Sequence, residues 1–170
     1  MSQTIFLGSS VKVVQKETLN MEELYNLITN WLKLNGYGVY EIAYSDLLEG
    51  TKKIIKVSLH CENDRTDYIR FIIEPSFNFT NVKLVDVKKD GKNTKANKAD
   101  IEINIKYFIE KDYDNFWSKG TYLGRFARDI YDNYIINKKL TKLDDELIKH
   151  VKLIMEEIKT FLNLHKNISI

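Results

Sequence analysis

After Gly36 the hydrophobic repeat of this chain changes from helical spacing to alternation, and alternation persists to Lys111. A repeat of two places successive side chains on opposite faces of a strand, so this region is confined to sheet with one apolar and one polar side. The run "YGVYEIAY" sets Tyr40, Ile42 and Tyr44 against Val39, Glu41 and Ala43, and "EGTK" at Glu49 to Lys52 reads as a hairpin turn. "KIIKVSLHCE" sets Ile55, Val57, Leu59 and Cys61 against Lys56, Ser58 and His60, and "NDRTD" turns the chain again. In "YIRFIIEP", Ile69, Phe71 and Ile73 point inward and Arg70 and Glu74 outward. Pro75, the one proline, is expected to end this strand or mark an edge. "VKLVDVKK" follows as a weaker strand whose alternation slips between Leu84 and Val85, the mark of a bulge. "KKDGKNTKANKAD" reads as a turn with Asp90-Gly91 at its tip. The cleanest strand is "DIEINIKYFIEKD", with Ile101, Ile103, Ile105, Tyr107 and Ile109 on one face.

Helices flank this block. Residues 4–16 form a first strand around "VKVV". A helix then runs from an Asn20 N-cap, with Glu23 placed to close a capping box and Gly36 as the stop beyond its end. Its apolar stripe is Met21, Leu24, Tyr25, Ile28, Trp31 and Leu32. At the far end, "TYLGRFARDIYDNYII" predicts one helix and "TKLDDELIKHVKLIMEEIKTFLNLH" a longer one capped by Thr141. The long helix carries Leu143, Leu147, Val151, Ile154, Met155, Ile158, Phe161 and Leu162 on one side. Between them and the last strand lies "EKDYDNFWSKGTYLGRF", where Phe116 and Trp117 read as plugs that pin a corner to the sheet.

The order is therefore β-α-β-β-β-β-β-α-α. Strands joined by tight turns pair antiparallel, and strands polar on one face need helices on the other. The expected fold class is α+β: a curved antiparallel sheet of about six strands packed against a long C-terminal helix. No linker composition or repeat divides residues 1–170, which read as a single domain.

This element order resembles the helix-grip arrangement of START and Bet v 1 type domains, with one helix after the first strand where that family usually has two, and two at the end where it has one. The resemblance implies a cavity for a hydrophobic ligand between sheet and helix. The segments "WLKLNGYGVYE", "INIKYFIEKDYDNFWSK", "IYDNYII" and "FLNL" are also similar to an uncharacterised group of small archaeal proteins, a resemblance that implies no function.

The chemistry-bearing residues exclude more than they assign. A net charge of +2 gives no global basic excess of the kind expected of a dedicated phosphate binder. The single cysteine rules out an internal disulfide and a thiolate zinc site. With no charged leader and no long apolar run, the chain reads as cytoplasmic, without a membrane span. His60, His150 and His165 show no metal-ligand spacing, and no phosphate loop, GxSxG or HExxH occurs, so no metal and no cofactor are expected. Cys61 falls on an apolar face. Asp144, Asp145 and Glu146 suit the first turn of the long helix, where acids favour the dipole. Asp112 and Asp114 lack a calcium-loop pattern.

Three readings remain. In the first, a hydrophobic small molecule sits between sheet and helix against Tyr40, Tyr44, Phe71, Tyr107, Trp117 and Phe126. The alternative for each ring is ordinary core packing. In the second, the chain docks on RNA, a ribonucleoprotein or a protein partner through Lys88, Lys89, Lys92 and Lys95 of the basic hairpin, with Lys98, and through Arg125, Arg128, Lys138 and Lys139. The alternative there is a solvated hairpin whose charges protect an edge. In the third, the cavity hosts cyclase- or hydrolase-like acid–base chemistry.

Overall fold

The computed structural model describes residues 3–6, 11–89, 92–113 and 137–166. The elements are β1 (Gln3–Phe6), β2 (Val11–Leu19), α1 (Met21–Leu34), β3 (Gly38–Glu49), β4 (Lys52–Asp64), β5 (Ile69–Lys89), β6 (Lys92–Lys111) and α2 (Asn137–Lys166). All strand pairs are antiparallel. The sheet is curved and unclosed, in the order β1-β6-β5-β4-β3. The fold is thus α+β, with six strands and a C-terminal helix, as the alternation implies. The expected single first strand is two: β1 pairs with the end of β6 and β2 with its middle.

The ladders fix one apolar face. Ile55–Phe79–Ile101 and Val57–Phe77–Ile103 are opposed across β4, β5 and β6, and Phe71 meets Ile109. These side chains are buried or half-buried, together with Leu24, Ile28 and Leu32 of α1 and Leu147, Val151, Ile154, Met155, Ile158 and Leu162 of α2. Both helices therefore cover the same face. The opposite face carries Lys56, Ser58, His60 and Glu62, and His60 Nδ1 lies 3.0 Å from Glu74 Oε1.

Local chemistry sets the ends of α1. Asn20 Oδ1 accepts from the Glu22 and Glu23 backbone N–H groups, at 3.0 and 3.4 Å, while its Nδ2 donates to Glu23 Oε1 at 3.2 Å. The capping box thus closes through the side-chain amide. At the other end Tyr37 N donates to Leu32 O and Gly36 N to Lys33 O, both at 3.0 Å, which is a Schellman stop. Gly36 has φ +81°, and a Cβ there would lie 3.1 Å from Asn63 Nδ2, the group that donates to Asn35 O. Conformation and space both call for glycine.

Four local expectations are corrected. Pro75 does not end a strand: β5 runs through it between β4 and β6. Its pairing to β4 skips from Ser58–Ser76 to Cys61–Ile73, so the missing N–H falls where that ladder is interrupted. The expected turn over residues 88–100 is mostly strand, because β6 begins at Lys92. The irregularity lies between Thr80 and Lys83, with Asn81 at φ 55°, rather than at Leu84–Val85. α2 starts at Asn137, so Thr141 is inside the helix and is not its cap, and the first turn holds no acid. The additional helix expected before α2, and the Phe116–Trp117 corner, lie outside the described residues.

Cys61 is fully buried opposite Ile73 and Val39. Burial, then the Glu74 carboxylate, pushes its thiol up from 9.0 to about 12. At neutral pH the group is therefore held as the protonated, weakly nucleophilic thiol. A disulfide reagent is expected to label Cys61 only as fast as the chain opens, and promptly in denaturant. Prompt labelling of the folded protein would contradict this placement.

Candidate binding site

The first turn of α1 overhangs the β3 side of the sheet and leaves a groove of about 300 Å³ lined by Met21, Glu22, Tyr25, Glu41, Tyr44, Ile55, Val57, Phe77 and Phe79. Each wall follows from a local pattern. Met21 and Tyr25 stand one turn apart on α1. Ile55 and Val57 alternate on β4, and Phe77 and Phe79 on β5, opposed as Val57–Phe77 and Ile55–Phe79. The two phenylalanine rings are parallel within 4°, with centroids 6.4 Å apart, and Tyr25 tilts against Phe77 at the same distance.

The fourth wall depends on a β-bulge. Glu41 pairs with Leu59, Ala43 with Ser58 and Tyr44 with Val57, so the register of β3 shifts by one at Ile42. Strict alternation would put Glu41 and Tyr44 on opposite faces; the bulge brings both onto the helix side. Tyr40 pairs with His60 and is left on the other face, 53% exposed. The expected grouping of Tyr40 with Tyr44 is therefore split. At the rim the Tyr25 hydroxyl donates to Glu41 Oε2 at 3.3 Å. Burial first and Glu41 second hold the Tyr25 phenol above its usual range.

The other sequence-derived candidates are dispersed. Tyr107 is half-buried and lines a second groove of about 220 Å³ with Ile148, Val151, Lys152, Met155, Glu156 and Lys159 of α2. Phe71 is fully buried and lines neither groove. Lys88, Lys89 and Lys92 lie on the β5–β6 ribbon, and Lys95 and Lys98 are exposed there. Trp117, Phe126, Arg125 and Arg128 lie outside the described residues. Sequence reading missed Met21, Glu22, Tyr25, Glu41, Ile55, Val57, Phe77 and Phe79 as site residues. It placed Met21 and Tyr25 on the helix stripe and Ile55 and Val57 on an inward strand face; the signal for a gap between those surfaces was absent.

A polar cluster sits deeper in the fold. The Tyr37 hydroxyl is 2.9 Å from His150 Nδ1. Trp31, Tyr37 and Phe71 meet the His150 ring edge-on, with centroids at 6.2, 5.9 and 6.4 Å. Arg65 lies over Phe71, 5.2 Å from its centroid, and pairs with Glu146 of α2. These residues tie α1, α2 and the β4–β5 turn together, and Tyr37 and His150 line neither groove. Glu146 thus serves as an ion-pair partner rather than a first-turn acid.

His150 has a pH consequence. Burial holds its ring below the usual 6.5; Glu146 opposes that effect, and Arg65 and Lys149 add to it. Above pH about 6.5 the ring is neutral in the folded and unfolded chain, and its packing contributes in full. As pH falls below 6.5 the unfolded chain takes up the proton more readily, so stability is lost. His150→Gln keeps a polar partner for Tyr37 without titrating. The wild type is expected to lose more melting temperature than this variant between pH 7.5 and 5; equal losses would contradict the assignment.

Among the described residues no group of three or more His, Cys, Asp or Glu is placed to hold a metal, and no helix is long and apolar enough to cross a membrane. No protein-family model, curated protein or solved structure matches the chain. The functional reading therefore rests on geometry. The groove can bury apolar surface against aromatic rings, and it offers carboxylate and phenol groups at its rim.

Proposed function

We propose that this chain is a non-catalytic binding protein that holds a hydrophobic small molecule in the groove between α1 and strands β3–β5. The observation that carries the reading is the groove itself: about 300 Å³, open, with four aromatic rings and three aliphatic side chains in its lining. That volume is at the small end of ligand sites, which run from roughly 300 to 1,000 Å³, so it suits one ring system or a single alkyl chain. Apolar surface of a ligand placed there is removed from water against these side chains, which favours binding.

The likeness to helix-grip domains rests on element order, with a long helix following the last strand. The described grooves differ from the expected location in one respect: the larger one is under α1, and only the smaller involves α2. The test is displacement of a neutral environment-sensitive dye, Nile Red, by 1-decanol. Saturable displacement at one site supports the reading, and the absence of saturable binding by either compound would remove it.

One observation favours a second reading, docking on RNA or another polyanionic partner. The ribbon register places Lys83 opposite Lys98, both exposed. Like charges directly opposed across strands destabilise the pairing, and a polyanion would relieve that repulsion.

A further inference from the structure

We infer that the α1–β3 groove selects ligands that carry a positive charge, such as an alkyl- or quaternary-ammonium group on an apolar tail. This rests on the groove being the ligand site. Among the described residues its lining contains two carboxylates, Glu22 and Glu41, and no lysine, arginine or histidine. Four rings, from Tyr25, Tyr44, Phe77 and Phe79, share that lining. Aromatic faces are negative, and a cation against them is attracted most strongly when water is excluded. Carboxylates at the rim of the same recess add Coulomb attraction, and they repel a fatty-acid head.

The neighbouring charges leave this balance intact. Lys53, on the helix side of β4 beyond Ile55, is paired with Asp46 at 3.0 Å. Lys56 lies on the opposite face, against Ser45 and Asn78. The positive end of α1 would also favour an anion. It is already engaged, because Asn20 Oδ1 accepts from both the Glu22 and Glu23 N–H groups and both acids lie in that first turn. Tyr25 donates its hydroxyl hydrogen to Glu41, which orients the carboxylate at the rim.

The test compares three probes of equal chain length, each below its micelle concentration: decyltrimethylammonium, 1-decanol and decanoate. They are titrated into wild-type protein and into the double variant Glu22→Gln, Glu41→Gln. Glutamine at position 41 retains an acceptor for Tyr25. In the wild type the ammonium is expected to bind about 10-fold more tightly than the alcohol, and decanoate about 10-fold more weakly. In the double variant the span from ammonium to decanoate should shrink from about 100-fold to about 3-fold. If decanol binds but the ammonium has no advantage, or if decanoate binds best, the charge inference is overturned and the hydrophobic site stands. A span from ammonium to decanoate that stays near 100-fold in the double variant overturns it equally, because the two carboxylates would then not be its source. If none of the three binds, the groove is not a ligand site and both readings fall together.

Discussion

Phe71→Ala is expected to lower the unfolding free energy by about 3–5 kcal/mol, the cost of removing a fully buried aromatic ring. Phe71 is at 0% exposure on β5, opposite Asn63 on β4 and Ile109 on β6. Its ring does three jobs at once: it fills the helix side of the central strand, backs the His150 imidazole, and lies under the Arg65 guanidinium. Truncation leaves a cavity in mid-sheet and loosens the side chains that join α2 to the β4–β5 turn. A domain is typically stable by only about 5–15 kcal/mol, so the variant would sit near the edge of folding at room temperature. Urea denaturation with the m-value compared between proteins measures it. Leu84→Ala is the contrast: Leu84 is 62% exposed on the ribbon, and its loss should cost less than about 1 kcal/mol. A Phe71→Ala cost as small as that of Leu84→Ala would mean that the ring is not packed as described.

The second large effect is on binding. Ile55→Trp should weaken the hydrophobic ligand at least 100-fold, equivalent to about 2.7 kcal/mol, with little change in stability. Ile55 is half-buried in the groove lining, paired with Asp46 on β3 and Phe79 on β5. An indole at that position extends into the recess and takes the space of the ligand's apolar part, burying itself against Phe79 instead. Ile148→Trp makes a comparable change in the second groove, on α2. It should leave affinity within about 3-fold of the wild type. Full affinity in Ile55→Trp would place the ligand elsewhere. Loss in Ile148→Trp with retention in Ile55→Trp would move the site to α2.

Much of the fold was legible because its determinants are local. Asn20, Glu23 and Gly36 bound α1 through hydrogen bonds within a few residues of sequence. The alternation of residues 101–109 survives as an inward face because β6 lies in mid-sheet with a neighbour on each side. Elsewhere a neighbour distant in sequence decides the local structure. Pro75 looks like a terminator until β4 is seen to break its own ladder there. Thr141 looks like a cap, but the helix extends back to Asn137. The site was the least legible part. Nothing in "YEIAY" announces that the register slips at Ile42, and that single residue decides which tyrosine joins the groove. The recess also depends on the distance between the first turn of α1 and the sheet beneath it, a property of packing that no periodicity records.

The most direct test is to locate a bound ligand. Methyl-labelled protein, with isoleucine and valine resonances assigned, is titrated with 1-decanol and followed by NMR. Saturable shifts centred on Ile55 and Val57 are expected, with Ile148 and Val151 unmoved. Shifts centred on Ile148 and Val151, or no saturable shifts at all, would contradict it.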